Sequence, residues 1–411
     1  MCTVDCRTAL FSGLLTCLVI STHPLGHAQA VDFSWASDLG FAKGPSMKAA
    51  RMGHWQATLP DGRVAAFGGH GKGFVALKTV DVWSPSTKTF STATMQYTHD
   101  GSAFAKLQDG RYLLAGGSAN LGVPAYATSE IYNPTTKTFT LTGNMVRFRA
   151  GAASATLTNG KVLIAGAWWI HNDAHTYGEL YDPITGAFKA TGPLKVPRAN
   201  AVAIPTKDGK AVVAGGMGPQ AVPAYIEKVE QYNPATNKFK IYKNTLIGGQ
   251  TGWYINQQMC MRAIDDQKMT DGRYLLIAHR TETGVLEFML VTFDPAKKVF
   301  AALHTNPELP ELAGGGFPWA PLLDNRENKA YLLGTSAVEG KTQKMSLYAV
   351  DLGTMTLTEE TGQLVPSYYV ASCAQSVVED GRILVTGGTK DGSNFNPVAN
   401  TFFAQPSSAR E

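Results

Sequence analysis

Four basic side chains occupy the same position of a repeated sequence pattern. Each stands ten residues before the first residue of an Asp-Gly or Asn-Gly pair: Arg51, His99, Arg149 and Arg198. A guanidinium can hold a carboxylate through two parallel hydrogen bonds, and an imidazole can accept or release a proton near neutral pH. Because the position repeats, we expect the four groups to converge on one site for an anionic ligand.

The segment 168–177 is the richest in chemical groups, since it reads Trp-Trp-Ile-His-Asn-Asp-Ala-His-Thr-Tyr. Indole faces pack on sugar rings, and positioned His and Tyr side chains transfer protons. Alternatively, His171, Asp173 and His175 could hold a metal ion, because imidazole and carboxylate suit zinc and similar ions. Their spacing matches no specific motif, so we predict no metal site.

Further side chains near the same positions could contact a ligand. We predict catalytic roles for three residues: His99, His175 and Tyr177. We predict ligand binding by nine others: Arg51, His54, Arg149, Arg198, Trp168, Trp169, Tyr254, Trp319 and Tyr368. The alternative for each arginine is structural, with the guanidinium bonded to carbonyl groups of neighbouring strands.

The elements that position these residues are short strands in a repeat. Each Asp-Gly or Asn-Gly pair is followed by an apolar run that ends in Gly-Gly or, once, Gly-Ala: Arg63–Gly69, Arg111–Gly117, Lys161–Ala167 and Lys210–Gly216. Asn-Gly and Asp-Gly between apolar runs predict hairpins with type I′ turns, in which both central residues have positive φ. The apolar runs themselves predict buried strands.

A second signature follows in each repeat, consisting of two aromatic residues seven positions apart around an Asx-Pro or Ser-Pro turn. The pairs are Trp83 and Phe90, Tyr132 and Phe139, Tyr181 and Phe188, Tyr232 and Phe239, and Phe293 and Phe300. Proline presets its own φ for such a turn. Each repeat therefore predicts four strands, two on either side of the glycine pair.

This pattern resembles kelch repeats, which form four-stranded propeller blades. The resemblance covers nearly the whole chain after residue 30, and it implies an all-β, seven-bladed kelch-type β-propeller spanning residues 31–411. Later repeats are weaker, and six blades is the alternative if the sixth is an insertion. The last repeat lacks its fourth strand, and residues 41–51 match that strand elsewhere. We therefore predict that the N-terminal strand completes the last blade, as ring closure requires.

The N-terminal segment 1–30 predicts an export signal, with an apolar run after Arg7 and Ala28-Gln29-Ala30 as a cleavage site. The apolar run is too short to span a membrane. The formal net charge is only +4, without a Lys/Arg run, which excludes the usual footprint of nucleic-acid binding. Cys260 and Cys373 remain after the signal, too few for a disulfide scaffold. We expect a periplasmic or secreted protein.

The function that these residues favour is carbohydrate binding at the mouth of the central channel, with an acidic sugar as the ligand. The resemblance allows a polysaccharide lyase or a sugar epimerase or mutarotase. The galactose oxidase propeller is also kelch-like, but its copper-site pattern is not found here, and we predict no cofactor. The alternative is a non-catalytic propeller that binds a protein partner. The expected partner is a small molecule or an oligosaccharide, or a protein under the alternative.

Overall fold

The structure is a computed structural model, and it describes eleven segments of the chain. They are residues 41–120, 123–168, 174–218, 225–242, 247–255, 262–282, 285–309, 321–337, 342–366, 373–389 and 397–406. Seven antiparallel sheets follow one another along these segments as the blades of a β-propeller. The prediction of seven blades is confirmed.

Blades 1 to 4 each contain four strands, numbered outward from the central channel. In blade 1 the strands are Trp55–Thr58, Val64–Phe67, Thr79–Ser84 and Thr89–Thr94, and in blade 2 they are Ala103–Lys106, Tyr112–Ala115, Ser129–Asn133 and Thr138–Leu141. In blade 3 they are Ala153–Thr156, Val162–Ala165, Tyr177–Asp182 and Ala187–Pro193. In blade 4 they are Val202–Pro205, Ala211–Ala214, Glu230–Asn233 and Lys238–Ile241.

Blades 5 to 7 are less regular. The described strands of blade 5 are Tyr274–Glu282, Val285–Asp294 and Val299–Leu303. Those of blade 6 are Leu322–Asp324, Lys329–Ala337, Thr342–Asp351 and Leu357–Pro366. Those of blade 7 are Ala374–Val377, Ile383–Thr386, Thr401–Ala404 and Phe41–Lys43. A small hairpin joins Ser118–Asn120 to Val123–Ala125. The described 3-10 helices are Lys72–Phe74, Ala174–Thr176, Ile247–Gly249 and Ile264–Gln267.

The last of these helices lies at the centre of the ring. In the described residues, blade 5 has no innermost strand, and Ile264–Gln267 packs instead against the first strands of blades 3, 4 and 6. Ile264 and Gln267 are buried there. A sequence without a repeat signature thus supplies the element that fills this part of the channel.

Aromatic pairs explain why the third and fourth strands meet in register. Tyr132 lies directly opposite Phe139, and the ring centroids are 4.8 Å apart. The other four predicted pairs are also direct cross-strand neighbours. Phe67 of blade 1 packs on Phe104 and Tyr132 of blade 2, with centroids 5.2 Å away in both cases. The core therefore lies between the faces of adjacent blades, where these side chains leave water.

The Asp-Gly turns differ from the predicted type I′ geometry. The Gly62 amide bonds to the Leu59 carbonyl, and glycine, not Asp61, has positive φ (78°). The turn thus begins one residue earlier and ends with a glycine bulge, a common three-residue hairpin loop. The Asp61 carboxylate accepts a bond from the Arg63 guanidinium at 2.6 Å, which fixes the turn.

The N-terminal strand closes the ring, as predicted. Phe41–Lys43 pairs antiparallel with Thr401–Ala404, so that blade 7 contains both the first and the last described strands. We call the side with the Asp-Gly and Asx-Pro turns the lower face. The upper face carries the loops between second and third strands and the connections into first strands.

Candidate functional site

Each predicted basic residue begins near the upper face, but its side chain turns into its own blade. Arg149 is fully buried, and its Nη1 donates to the carbonyls of Gly166 (3.0 Å) and Tyr177 (2.9 Å). Its Nη2 donates to Glu179 Oε1 at 2.7 Å. We call this combination of a cation, a carboxylate and backbone carbonyls the blade clamp.

The clamp recurs in blades 1 and 4. Arg51 bonds to the carbonyls of Gly68 and Thr79 and pairs with Asp81 at 3.0 Å. Arg198 bonds to the carbonyls of Gly215 and Lys228 and pairs with Glu230 at 3.0 Å. These contacts favour the structural alternative for the three arginines, because buried guanidiniums bonded within the blade present little to a ligand.

His99 forms the clamp of blade 2. Its Nδ1 lies 2.6 Å from the Gly116 carbonyl, and its Nε2 lies 3.2 Å from Glu130 Oε1. Carbonyl and carboxylate oxygens only accept hydrogen bonds, so both ring nitrogens of His99 face acceptors. His99 thus takes the place of an arginine, and its ring nitrogens are occupied.

The carboxylates of the clamps were missed by sequence reasoning. Besides holding the cation, each accepts from backbone amides in the connection leading into its blade; Glu130, for example, accepts from Gln96 (3.0 Å) and Tyr97 (2.8 Å). Burial raises the pKa of Glu130, but the bonds to His99 and these amides outweigh it and lower the pKa overall. A signal was present, because an acid stands two residues before the first aromatic: Asp81, Glu130, Glu179 and Glu230.

His54 joins the first and last blades. Its Nε2 lies 2.8 Å from Thr386 Oγ1, and the neighbouring Gln56 bonds to Thr386 and to Ser376 (3.0 Å). Burial, aided by the charge of Arg51, holds the pKa of His54 well below its usual value. His54 is fully buried, so its position is that of a neutral group in the closure interface.

Trp168 lies across the upper end of the channel. Its Nε1 donates to Asn200 Oδ1 of blade 4 at 3.0 Å. The indole also lies so close to Gly101 and Gly151 of blades 2 and 3 that a Cβ added at Gly151 would be 2.4 Å from Nε1. One half-buried ring therefore contacts three consecutive blades at the mouth.

His175 and Tyr177 lie beside this mouth, and both are half-buried. The Arg147 guanidinium lies 4.1 Å from the centre of the Tyr177 ring, a cation–π contact. His175 Nδ1 is buried and makes no hydrogen bond to a described residue. Arg149 is the arginine that we predicted to bind a ligand, but Arg147, two residues earlier, has the guanidinium that lies nearer solvent.

Tyr254 forms part of an aromatic stack. Its ring lies 3.6 Å from that of Tyr225 at an interplanar angle of 6°. Tyr254 itself is buried, whereas Tyr225 is 45% exposed. On the inner side, His279 lies 5.7 Å from Tyr254. Three other predicted residues, Trp169, Trp319 and Tyr368, lie outside the described residues, as do His171 and Asp173.

The lower face holds a cavity of about 740 Å³ at the opposite end of the channel. Its lining includes Asp265 and Asp266 of the central helix together with Arg262 and Lys268. Burial and the charge of Asp266 raise the pKa of Asp265 to about 6, and burial raises that of Asp266. No repeat signature marks these residues in the sequence.

Among solved structures, the fold is similar to a fungal alcohol oxidase with catalytic diversity among the AA5 family, solved in complex with copper. The TM-score is 0.62 at 15% sequence identity, covering 90% of this chain and 77% of that chain. At this identity the likeness shows the fold alone. No protein-family model matches the sequence, and no curated protein matches it.

Copper belongs to that enzyme. In the part of this chain that the structure describes, no three His, Cys, Asp or Glu side chains are gathered to hold a metal ion. The described residues therefore do not fit a metal centre of that kind. Separately, no helix within the described segments is long and apolar enough to cross a bilayer.

Proposed function

We propose that this chain is an exported propeller that binds carbohydrate on its upper face. The observation that carries the proposal is the Tyr225–Tyr254 stack, which holds a flat and partly exposed ring in a fixed orientation. Such a ring is a platform for the apolar face of a sugar, and its rigidity lowers the entropic cost of binding.

Other aromatic side chains extend this surface. Phe148 is 46% exposed and Tyr97 is 38% exposed, both in connections that lead into first strands. Trp168 and Tyr177 lie half-buried nearer the channel. We propose an acidic sugar as the ligand, because Arg147 lies over Tyr177 and a guanidinium suits a carboxylate.

We also propose His175 and Tyr177 as a proton-transfer pair for a lyase or epimerase reaction. The buried Nδ1 of His175 and the guanidinium beside Tyr177 favour this second candidate. His99 is not included, because both of its ring nitrogens are used in the blade clamp. If His175→Ala left the turnover of a responsive uronate oligosaccharide unchanged, the catalytic part would be wrong.

The test of binding is a thermal-shift screen with uronic, sialic and neutral oligosaccharides. A ligand of the folded state raises the melting temperature by mass action. We expect Phe148→Ala and Tyr225→Ala to weaken binding about 3- to 10-fold, the range of a single aromatic contact. The control is Ile184→Ala on the lower face, where the side chain is 93% exposed. No shift with any saccharide would favour a protein partner on this apolar surface.

A further inference from the structure

His70 and Asp100 form a buried pair at the upper mouth that the proposed binding surface does not yet use. His70 follows the glycine pair of blade 1, and Asp100 lies in the connection into blade 2. His70 Nδ1 lies 3.2 Å from Asp100 Oδ1. The two side chains are largely buried, with 11% of His70 and 9% of Asp100 exposed.

The pairing determines which ring nitrogen carries the proton. An ionised carboxylate only accepts hydrogen bonds, so Nδ1 of His70 must donate. In the neutral ring, Nε2 then presents a lone pair, which is the arrangement found where a carboxylate orients a histidine base. Nε2 is buried and makes no hydrogen bond to any described residue. Buried polar atoms almost always have a partner, so this nitrogen requires one from outside the described structure.

Phe74 covers the imidazole. The two rings are stacked with centroids 4.8 Å apart and an interplanar angle of 19°. Phe74 has a φ of 62°, in the left-handed region that a bulky residue seldom occupies. Strain of this kind persists where surrounding contacts maintain it, and it concentrates at ligand sites.

The tip that carries Phe74, residues 71–75, lies between the second and third strands of blade 1, outside the sheet. Gly73 also has positive φ (70°), and no atom lies within 4 Å of where its Cβ would be. The tip is closed at its base by a 2.8 Å bond from the Gly71 amide to the Val75 carbonyl. Lys72 and Gly73 are exposed, so the tip has solvent on its outer side.

We propose that His70 Nε2 accepts a hydrogen bond from a hydroxyl group of the ligand, and that Phe74 is the gate to this position. The assignment rests on the proposed function for the ligand class, since sugars supply hydroxyl donors. The structure shows the closed state, with the Phe74 ring on the imidazole. When the Phe74 ring moves aside, one face of the imidazole is uncovered, and a ligand can approach the edge of the ring that carries Nε2.

The gate is tested with diethyl pyrocarbonate, which carbethoxylates unprotonated imidazole nitrogen. Peptide mass spectrometry of the full chain gives the rate at each histidine. We expect His70 to react at least tenfold faster in Phe74→Ala than in the wild type. Lys72→Ala, on the same tip, is the matched control. His304, with a side chain 69% exposed, is the internal reference for reagent activity. Equal His70 rates in the wild type and both variants would overturn the gate.

The ligand arm uses D-galacturonic acid and D-galactose as probes in the Phe74→Ala variant. We expect one of them to slow carbethoxylation of His70 by fivefold or more while leaving His304 unchanged. If saccharides bind through Phe148 and Tyr225 without protecting His70, the proposed function stands and this inference is wrong. If no saccharide binds at all, the proposed function fails, and the hydroxyl assignment fails with it.

Discussion

Blades 1 to 4 and blade 5 hold their upper ends together in different ways. In blades 1, 3 and 4, a buried arginine reaches a carboxylate on the third strand and two backbone carbonyls. In blade 2, His99 reaches Glu130 and one carbonyl. In blade 5, Ala278 and His279 replace the glycine pair, and the neutral His279 packs between Tyr254 and Phe288. The first arrangement is electrostatic, and the second is aromatic.

The difference shows where this propeller can bury a charged group without a large cost in stability. A buried ion pair costs desolvation of both groups and is worth keeping only when further hydrogen bonds satisfy it. The clamps meet that condition, since each carboxylate also accepts from backbone amide hydrogens. The two ring nitrogens of His279 have no hydrogen-bond partner among the described residues, and burial lowers the pKa of His279 to about 4.

The largest effect should follow from breaking one clamp. Arg149→Met leaves Glu179 buried without its cation, and we expect the free energy of unfolding to fall by about 3–5 kcal/mol. Urea denaturation measures this loss. The control is Arg111→Met, because Arg111 pairs with Asp109 at a solvent-exposed turn and should cost less than about 1 kcal/mol. Equal losses would mean that the clamp is no more important than a surface pair.

The second effect concerns acid stability and blade 5. Since folding lowers the pKa of His279 from 6.5 to about 4, the stability that it contributes is present above pH 6.5 and lost as pH falls toward 4. We expect the fall in the free energy of unfolding between pH 7 and pH 4 to be about 2–3 kcal/mol smaller in His279→Phe than in the wild type. Denaturation curves at pH 4 and pH 7 test it, with His304→Gln as an exposed control. If His279→Phe lost as much unfolding free energy between pH 7 and pH 4 as the wild type, His279 would not be buried as a neutral group.

A smaller effect of opposite sign is expected at the lower end of the channel. Folding raises the pKa of Asp265 from 3.8 to about 6, so the stability contributed by its protonated form is lost as pH rises from 4 to 6. Asp265→Asn should therefore stabilise the protein by about 1–2 kcal/mol at pH 7 and leave it unchanged below pH 4. The comparison variant is Glu308→Gln, whose side chain is 76% exposed. A destabilised Asp265→Asn protein at pH 7 would refute this.

The smallest effect should come from exchanging one clamp side chain for another. His99→Arg restores the residue type of the other three clamps, and we expect a change below about 1 kcal/mol. His99→Ala, which leaves Glu130 buried without this partner, should cost several times more. Thermal and urea unfolding of both variants decide this. If arginine were as damaging as alanine, blade 2 would need the imidazole itself.

These comparisons also show what the sequence could predict. The spacing of Tyr132 and Phe139 predicted a cross-strand pair, because aromatic residues seven apart around a tight turn must face each other. The match of residues 41–51 to a fourth strand predicted ring closure. Both rest on local geometry that repeats along the chain.

The candidate site was less predictable. The repeat located the backbone of Arg149 correctly but not the direction of its side chain, which depends on Glu179, 30 residues away in the sequence. The type I′ prediction was wrong because the turn begins at Leu59, so that Pro60 and Asp61 are its central residues and Gly62 follows them. Nothing periodic marks Asp265 or the Tyr225–Tyr254 stack, since both arise where the repeat is interrupted.

The closing strand also determines how the ring responds to mechanical force. Phe41 lies opposite Ala404, so the first residue of one strand and the last residue of the other are at the same end of the ladder. A pull applied at these two residues peels the hydrogen bonds apart one after another, because the load falls on the terminal pair first. The described part of this ladder has three residue pairs, so the propeller should open at its seam under low force, while the other blades remain folded.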